Sequence, residues 1–345
     1  MATATEEGGP MRITRTRTAA RSAVHSAART AAGVAVCALA LGALPAGAAR
    51  AESTASTASE RGSARHTAPL HSRPAADGVR LVPLQGAVNV RDLGGYRTYD
   101  GERVRYGQVF RADALAKLTD ADVITLAGLG LKKVVDFRVP AEVQNDGPDR
   151  LPAGLTATSR PVNDNGLFVT LMTVIGSRDP VKQEEMLGNG KADAFMREVY
   201  RTFVTDASNR AQFATTLRDI AGGGKGSSGS PLLYHCTAGK DRTGWTSYLL
   251  LRAVGVPEHT AVGDFLASNT YRAAYDAKVR EGLKQAGLMQ NPDLLIPLQE
   301  VRTGYLEAAL AEAEQKYGSL GGYLRKGLGL DTRTILALRE RMVGR

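Results

Sequence analysis

Residues 231–236, PLLYHC, form a short apolar run, and residues 243–255, TGWTSYLLLRAVG, have the length and apolar content of a buried helix closed by Gly255. A buried strand that feeds directly into a buried helix fixes the seven residues between them, from Cys236 to Arg242 (CTAGKDR), at the turn where the strand end meets the helix N-terminus. Backbone N–H groups in such a turn point inward and the helix dipole adds to their positive charge, so Thr237, Ala238, Gly239, Lys240 and Asp241 supply a cradle for an anion. Gly239 adopts the backbone angles that a tight turn requires. Arg242, in the first helical turn, presents a planar fork that grips two oxygens of a phosphoryl group. The same positive field favours a thiolate at Cys236. A thiolate beneath a bound phosphate monoester attacks phosphorus in line and splits the reaction into two displacements through a phosphocysteine.

The rest of the chain sets this turn in an α/β protein. From Val79 onward short apolar runs alternate with helical periodicity, the pattern of a central, mostly parallel sheet flanked by helices. Strands are expected over 79–84, 104–112, 132–138, 156–162 and 231–236. Helices are expected over 119–128, 191–204, 208–221, 242–254, 258–268, 270–286, 295–315 and 332–343. Residues 163–190, rich in Gly, Asn and Asp, read as a mobile insertion of the kind that covers active sites. The tract GGGKGSSGS (222–230) reads as a loop; Lys225 is followed by Gly226, so it is not a nucleotide-binding P-loop.

The first fifty residues have the order of a secretory signal: Arg12, Arg15, Arg17, Arg21 and Arg29, then the uncharged stretch 31–49, then small residues at Ala46, Gly47 and Ala48. The expectation is a signal peptide over 1–51, a disordered linker over 52–78 and one catalytic domain over 79–345, secreted; an uncleaved membrane anchor is the alternative. The formal charge of +9 is front-loaded, because residues 1–80 hold ten Arg against five Asp and Glu. The mild remaining surplus fits an anionic substrate and gives no support for nucleic-acid binding. Once the signal is removed Cys236 is the lone cysteine, a candidate reactive thiol set against the alternative of a buried small hydrophobe. Only His235 and His259 remain in the domain, not in a ligand-spaced cluster, so neither a metal nor another cofactor is expected.

HCTAGKDRTG resembles the HC-x5-R-[ST] signature of the cysteine-dependent protein tyrosine phosphatases, and its GKDRT form is similar to the bacterial secreted tyrosine, dual-specificity and lipid phosphatases. NVRDLGGY (89–96), FRAD (110–113), VVDFR (134–138), DFLASN (264–269) and YGSLGGYLRKGLGL (317–330) resemble further blocks of that family, so the likeness spans most of 86–340. The resemblance implies a tyrosine phosphatase-like α/β fold with extra C-terminal helices. It implies Cys236 as nucleophile, Arg242 as phosphate-binding arginine, His235 as support for the loop, and Thr243 as the hydroxyl that assists breakdown of the phosphoenzyme. The general acid is left between Asp241, inside the loop, and Asp164, in RPVND after a strand end. Asp92, Asp113 and Asp136 read as structural, bracing the loop through Arg91, Arg111 and Arg138. Lys240 is either a second cation for multiply charged phosphoinositides or a solvated loop residue. The substrates implied are phosphorylated proteins, through phosphotyrosine and also phosphoserine or phosphothreonine, or phosphoinositides. Membrane contact would come only through the signal segment or a lipid substrate.

Three other readings compete. A sulfurtransferase also seats a cysteine in an anion-cradling loop, but does not need arginine at the sixth position. A thiol protease needs a second histidine arrangement that the domain lacks. The alternative kept is a catalytically inactive module that binds phosphoproteins.

Overall fold

In the computed structural model, residues 80–222 and 231–344 are described. The expected signal, the linker, Val79 and most of the 222–230 tract lie outside the described residues.

Four strands build the parallel centre: β4 (Val109–Ala112), β5 (Lys133–Asp136), β6 (Ala157–Ser159) and β7 (Leu232–His235). Two short strands, β1 (Arg80–Leu81) and β2 (Arg91–Asp92), extend one edge in antiparallel fashion, giving the order β1-β2-β4-β7-β5-β6. The PLLYHC run is therefore central, flanked in parallel by β4 and β5. Its side chains alternate between faces as strand geometry dictates. Leu233, in register with Phe110 and Val134, packs into a small core with Val90, Leu115 and Leu126. Tyr234, in register with Val135, faces the larger core with Phe137, Trp245 and Phe265.

The sheet edges are shorter than expected. Of the predicted strand 104–112 only β4 joins the main sheet, because Gly107, at φ +71°, turns the chain; Arg103–Val104 (β3) pairs instead with Val343–Gly344 at the far end of the described chain.

Helices cover both faces: α1 (Asp120–Gly128), α2 (Pro140–Asp146), α3 (Leu167–Ser177), α4 (Pro180–Leu187), α5 (Lys191–Thr205), α6 (Ala207–Ile220), α7 (Arg242–Ala253), α8 (Glu258–Gln285), α9 (Thr303–Tyr317) and α10 (Thr332–Met342). α7 is buried from Arg242 to Leu251, as an all-round apolar helix must be.

Three departures from expectation matter for the site. Residues 163–190 are the helices α3 and α4, with Leu171, Val174, Ile175 and Leu187 in the core; their Gly and Asn residues are joints, not a loop. Asn165, Arg178 and Asn189 all have φ between 52° and 56° and sit at those joints. The helices expected over 258–268 and 270–286 are one, because Asn269 turns its polar side chain outward onto Val301, donating to its carbonyl and accepting from its N–H at 2.8 Å each. The helix expected over 295–315 is broken: a 3-10 turn, Pro292–Leu295, runs into the single turn Ile296–Gln299, and the chain is extended at Glu300 before α9 begins.

Candidate active site

The seven residues from Cys236 to Arg242 lie between β7 and α7, as the sequence requires. Gly239 has φ +64°, and a Cβ there would meet the Ala112 carbonyl oxygen at 2.4 Å, so the turn packs against the end of β4 in a way only glycine permits. The carbonyls of the turn are tied down from outside. Ala114 donates to Thr237 O at 3.1 Å; Asn89 Nδ2 donates to Ala238 O and Gly239 O at 3.1 Å each. Arg111 donates to Gly239 O at 2.7 Å, and Arg272 to Ala238 O at 3.3 Å. With the carbonyls facing out, no described residue accepts from the backbone N–H groups of Thr237–Asp241. The turn therefore presents a row of backbone donors to one side.

Arg111, and Arg91 that braces Asn89, are anchored by Asp264 on α8, which accepts from Arg91 at 3.0 Å, Arg111 at 2.6 Å and the Tyr96 hydroxyl at 3.1 Å. Burial alone would raise the Asp264 carboxyl, but the two guanidinium groups outweigh it and hold it below the ordinary aspartate value. The bracing expected of Asp92 and Asp113 is different in kind. Asp92 accepts from Gly94 N and Gly107 N and fixes a turn. Asp113 accepts from Val88 N and Asn89 N and lies 3.6 Å from Arg272. Asp136 does pair with Arg138, at 2.9 Å, and Arg138 also grips Asp149 at 2.8 Å.

His235 is fully buried, with Nε2 2.9 Å from Asp149 Oδ2 and Nδ1 lacking a partner among the described residues. Burial opposes protonation of this imidazole, but Asp149 and Asp136 overcome it and move its pKa upward. Although Asp136, Asp149 and His235 place ligand atoms within 4.8 Å of one another, Arg138 already occupies both carboxylates, which suits a structural network rather than a cation.

Cys236 is 2% exposed and lines a cavity of about 70 Å³ with Arg242, Asp241, Lys240, Asp164 and Glu142. Leu167, Phe168 and Leu171 of α3, with Leu298, form the apolar part of its wall. So α3 and the Ile296–Gln299 turn both cover the thiol.

Glu142 on α2 is the residue that sequence reasoning missed. It takes Arg242 in a two-pronged grip, Nη1 to Oε2 at 2.6 Å and Nη2 to Oε1 at 2.5 Å, and accepts from the Thr237 hydroxyl at 2.6 Å and Val139 N at 2.7 Å. Nη1 also reaches the Phe137 carbonyl at 3.2 Å. A guanidinium has five N–H donors, so Nε and one N–H of Nη2 are left for a ligand. The pairing overcomes the desolvation of both groups: Glu142 is held below, and Arg242 well above, its ordinary value. The only sequence signal was an acidic residue three places into a helix begun at Pro140, which reads as an ordinary N-terminal preference.

Both candidate acids border the cavity. Asp164 spends each oxygen on α3, accepting from Gly166 N at 3.0 Å and Phe168 N at 2.9 Å. Asp241 accepts from the Tyr200 hydroxyl at 2.9 Å through Oδ1, and from Lys240 at 2.9 and 2.7 Å through both oxygens. Lys240 is 3% exposed, so it is not the solvated loop residue of one expectation; it lines the cavity of Cys236, pairs with its neighbour, and donates to Glu300 O at 3.3 Å where the chain breaks before α9. Thr243 is fully buried, and its hydroxyl has no partner among the described residues.

Residues 82–344 match the pattern described as the Tyrosine phosphatase family. A protein of Cupriavidus necator named as a tyrosine-protein phosphatase is 36% identical over 246 residues, covering 70% of this chain and 82% of that one. The triple specificity protein phosphatase PtpB of Mycobacterium tuberculosis is 31% identical over 282 residues, 76% of this chain and 98% of that protein. A tyrosine-protein phosphatase of Nostoc commune is 29% identical over 241 residues, with 67% and 73% coverage.

Proposed function

The chain belongs to the tyrosine phosphatase family and is a protein-tyrosine phosphatase, and from that premise we propose that it hydrolyses phosphotyrosine through a phosphocysteine at Cys236. The observation that carries this is the row of N–H donors beside the thiol, its carbonyls held away by Asn89, Arg111 and Arg272. The phosphoryl oxygens fill that row and take the open Nε and Nη2 edge of Arg242, while Glu142 keeps the fork aimed. Cys236 sulfur then forms a bond to phosphorus as the bond to the tyrosyl oxygen breaks, and Asp241 gives that oxygen a proton. In the second half a water oxygen attacks phosphorus, Asp241 takes the proton back, the S–P bond breaks and inorganic phosphate leaves. Thr243 is buried beside Arg242, and its hydroxyl, which has no partner among the described residues, is the group available to the departing sulfur.

Asp241 is favoured over Asp164 because it is fixed on the loop that carries the thiol, whereas Asp164 holds the start of α3 through Gly166 N and Phe168 N. Among the described residues lining the cavity the cations are Arg242 and Lys240, and Lys240 pairs with Asp241, which favours a singly phosphorylated protein over a phosphoinositide headgroup as substrate. Hydrolysis of a chromogenic aryl phosphate by the wild type and by Cys236→Ser tests the reading. Turnover should vanish in the variant while the ester still binds competitively. Absence of turnover in the wild type would favour a phosphoprotein-binding module instead.

A further inference from the structure

Tyr200 on α5 is fully buried, and its ring is packed by three helices. Between ring centres, Phe203 of α5 itself lies at 5.1 Å, Phe265 of α8 at 6.0 Å and Tyr305 of α9 at 5.9 Å. A buried phenol must find an acceptor for its O–H. Tyr305 uses the Pro297 carbonyl at 3.0 Å and Tyr323 the Phe203 carbonyl at 3.1 Å. Tyr200 instead donates to Asp241 Oδ1 at 2.9 Å, a side chain that borders the cavity of Cys236, although Tyr200 itself is not part of that lining. Burial, and then the Asp241 carboxylate, hold the phenol well above its ordinary pKa, so it keeps its proton and stays a donor.

The two oxygens of Asp241 are therefore unequal. Lys240 Nζ reaches both, at 2.9 and 2.7 Å, and does not tell them apart; the Tyr200 hydroxyl reaches Oδ1 alone. A protonated carboxyl has one O–H and one carbonyl oxygen, and the oxygen that accepts from a phenol serves as the carbonyl. We propose that Tyr200 is a positioning residue for the general acid, assigning the proton of Asp241 to Oδ2 and supporting the carboxylate that forms when that proton leaves. As the proton passes from Oδ2 to the tyrosyl oxygen and the O–P bond breaks, the Tyr200 bond to a neutral carboxyl becomes a bond to a carboxylate. Charge-assisted bonds are the stronger kind, so this one strengthens along the reaction and lowers the barrier to proton transfer. In the second half, when water attacks the phosphocysteine, Oδ2 takes a proton from that water and the bond weakens again. The proposal rests on the reading of Asp241 as the acid and adds the group that orients it.

Tyr200→Phe removes one oxygen and keeps the ring. With phenyl phosphate, whose leaving group needs the proton, kcat/KM should fall by about tenfold, the scale that separates a neutral from a charge-assisted hydrogen bond. With p-nitrophenyl phosphate, whose leaving group departs without a proton, it should stay within about twofold of wild type. A substitution that only loosened the fold would slow both esters alike. In an Asp241→Asn background Tyr200→Phe should slow neither ester further, because no carboxyl proton is left to assign. A phenyl phosphate rate in Tyr200→Phe within about twofold of wild type, or equal losses on the two esters, would overturn the role of Tyr200. Equal losses on the two esters in Asp241→Asn alone would remove the acid itself and the role of Tyr200 with it, which separates the two claims.

Discussion

Removing Glu142 tests how much of the site depends on one carboxylate. In Glu142→Ala the Arg242 guanidinium stays buried with only the Phe137 carbonyl as acceptor, and the Thr237 hydroxyl and Val139 N–H lose their partner. Breaking a buried charge pair from one side costs about 3–5 kcal/mol. The unfolding entropy of a domain of about 260 residues is ~0.55 kcal/mol per degree, so Tm should fall by about 5–9 °C. With the fork no longer aimed, kcat/KM for an aryl phosphate should fall by about 10²-fold, the scale of a 1 Å misplacement. The sign of the pH dependence follows from the Glu142 carboxyl, which Arg242 holds below its ordinary 4.5 against the opposing effect of burial. A lowered pKa contributes stability that is complete above the unfolded value and is lost as pH falls through the folded one. The Tm gap between wild type and variant should therefore be full above about pH 5 and close progressively in more acid solution. Calorimetry across that range and steady-state kinetics at neutral pH are the assays. A variant melting within about 1 °C of wild type, with kcat/KM within about twofold, would refute the reasoning.

Asp241→Asn should slow a phenyl phosphate, whose leaving group needs a proton, by about 10²-fold or more while slowing a p-nitrophenyl ester much less; equal losses on both would remove Asp241 as the acid. Arg242→Lys should lose most turnover because a point charge cannot reproduce the fork, and near-normal kinetics would contradict that. Export with loss of the first 48 to 51 residues is expected from the order of charged, apolar and small residues; N-terminal sequencing of protein from the culture medium checks it, and intact protein kept in the cytoplasm would count against it.

What was legible in the sequence is what is local. The strand, the seven-residue turn and the buried helix are contiguous, and their apolar pattern fixes the placement of Cys236 and Arg242 without help from elsewhere. The residues that hold the turn in shape are distant in the chain: Glu142 is 100 residues from Arg242, and Asp264 is 153 from Arg111. No periodicity reports such pairs. Asn89 and Asp264 were seen as members of blocks, but their partners emerge only when α8 packs over β2 and β4. The misreading of 163–190 has a different cause, since Gly and Asn there occupy left-handed joints between helices and their composition is the same as that of a loop. The charge of Lys240 is legible in the sequence, but its bond to the Glu300 carbonyl joins it to a segment 60 residues away, which no local pattern reports.

The central claim is covalent, so its most direct test is to catch the intermediate. Wild-type enzyme mixed with a ³²P-labelled phosphotyrosine peptide and quenched in acid within one turnover should carry label on the peptide that contains Cys236, as an acid-stable thiophosphate linkage, and Cys236→Ser should carry none. Rapid turnover with no labelled protein, or label on any residue other than Cys236, would contradict the mechanism.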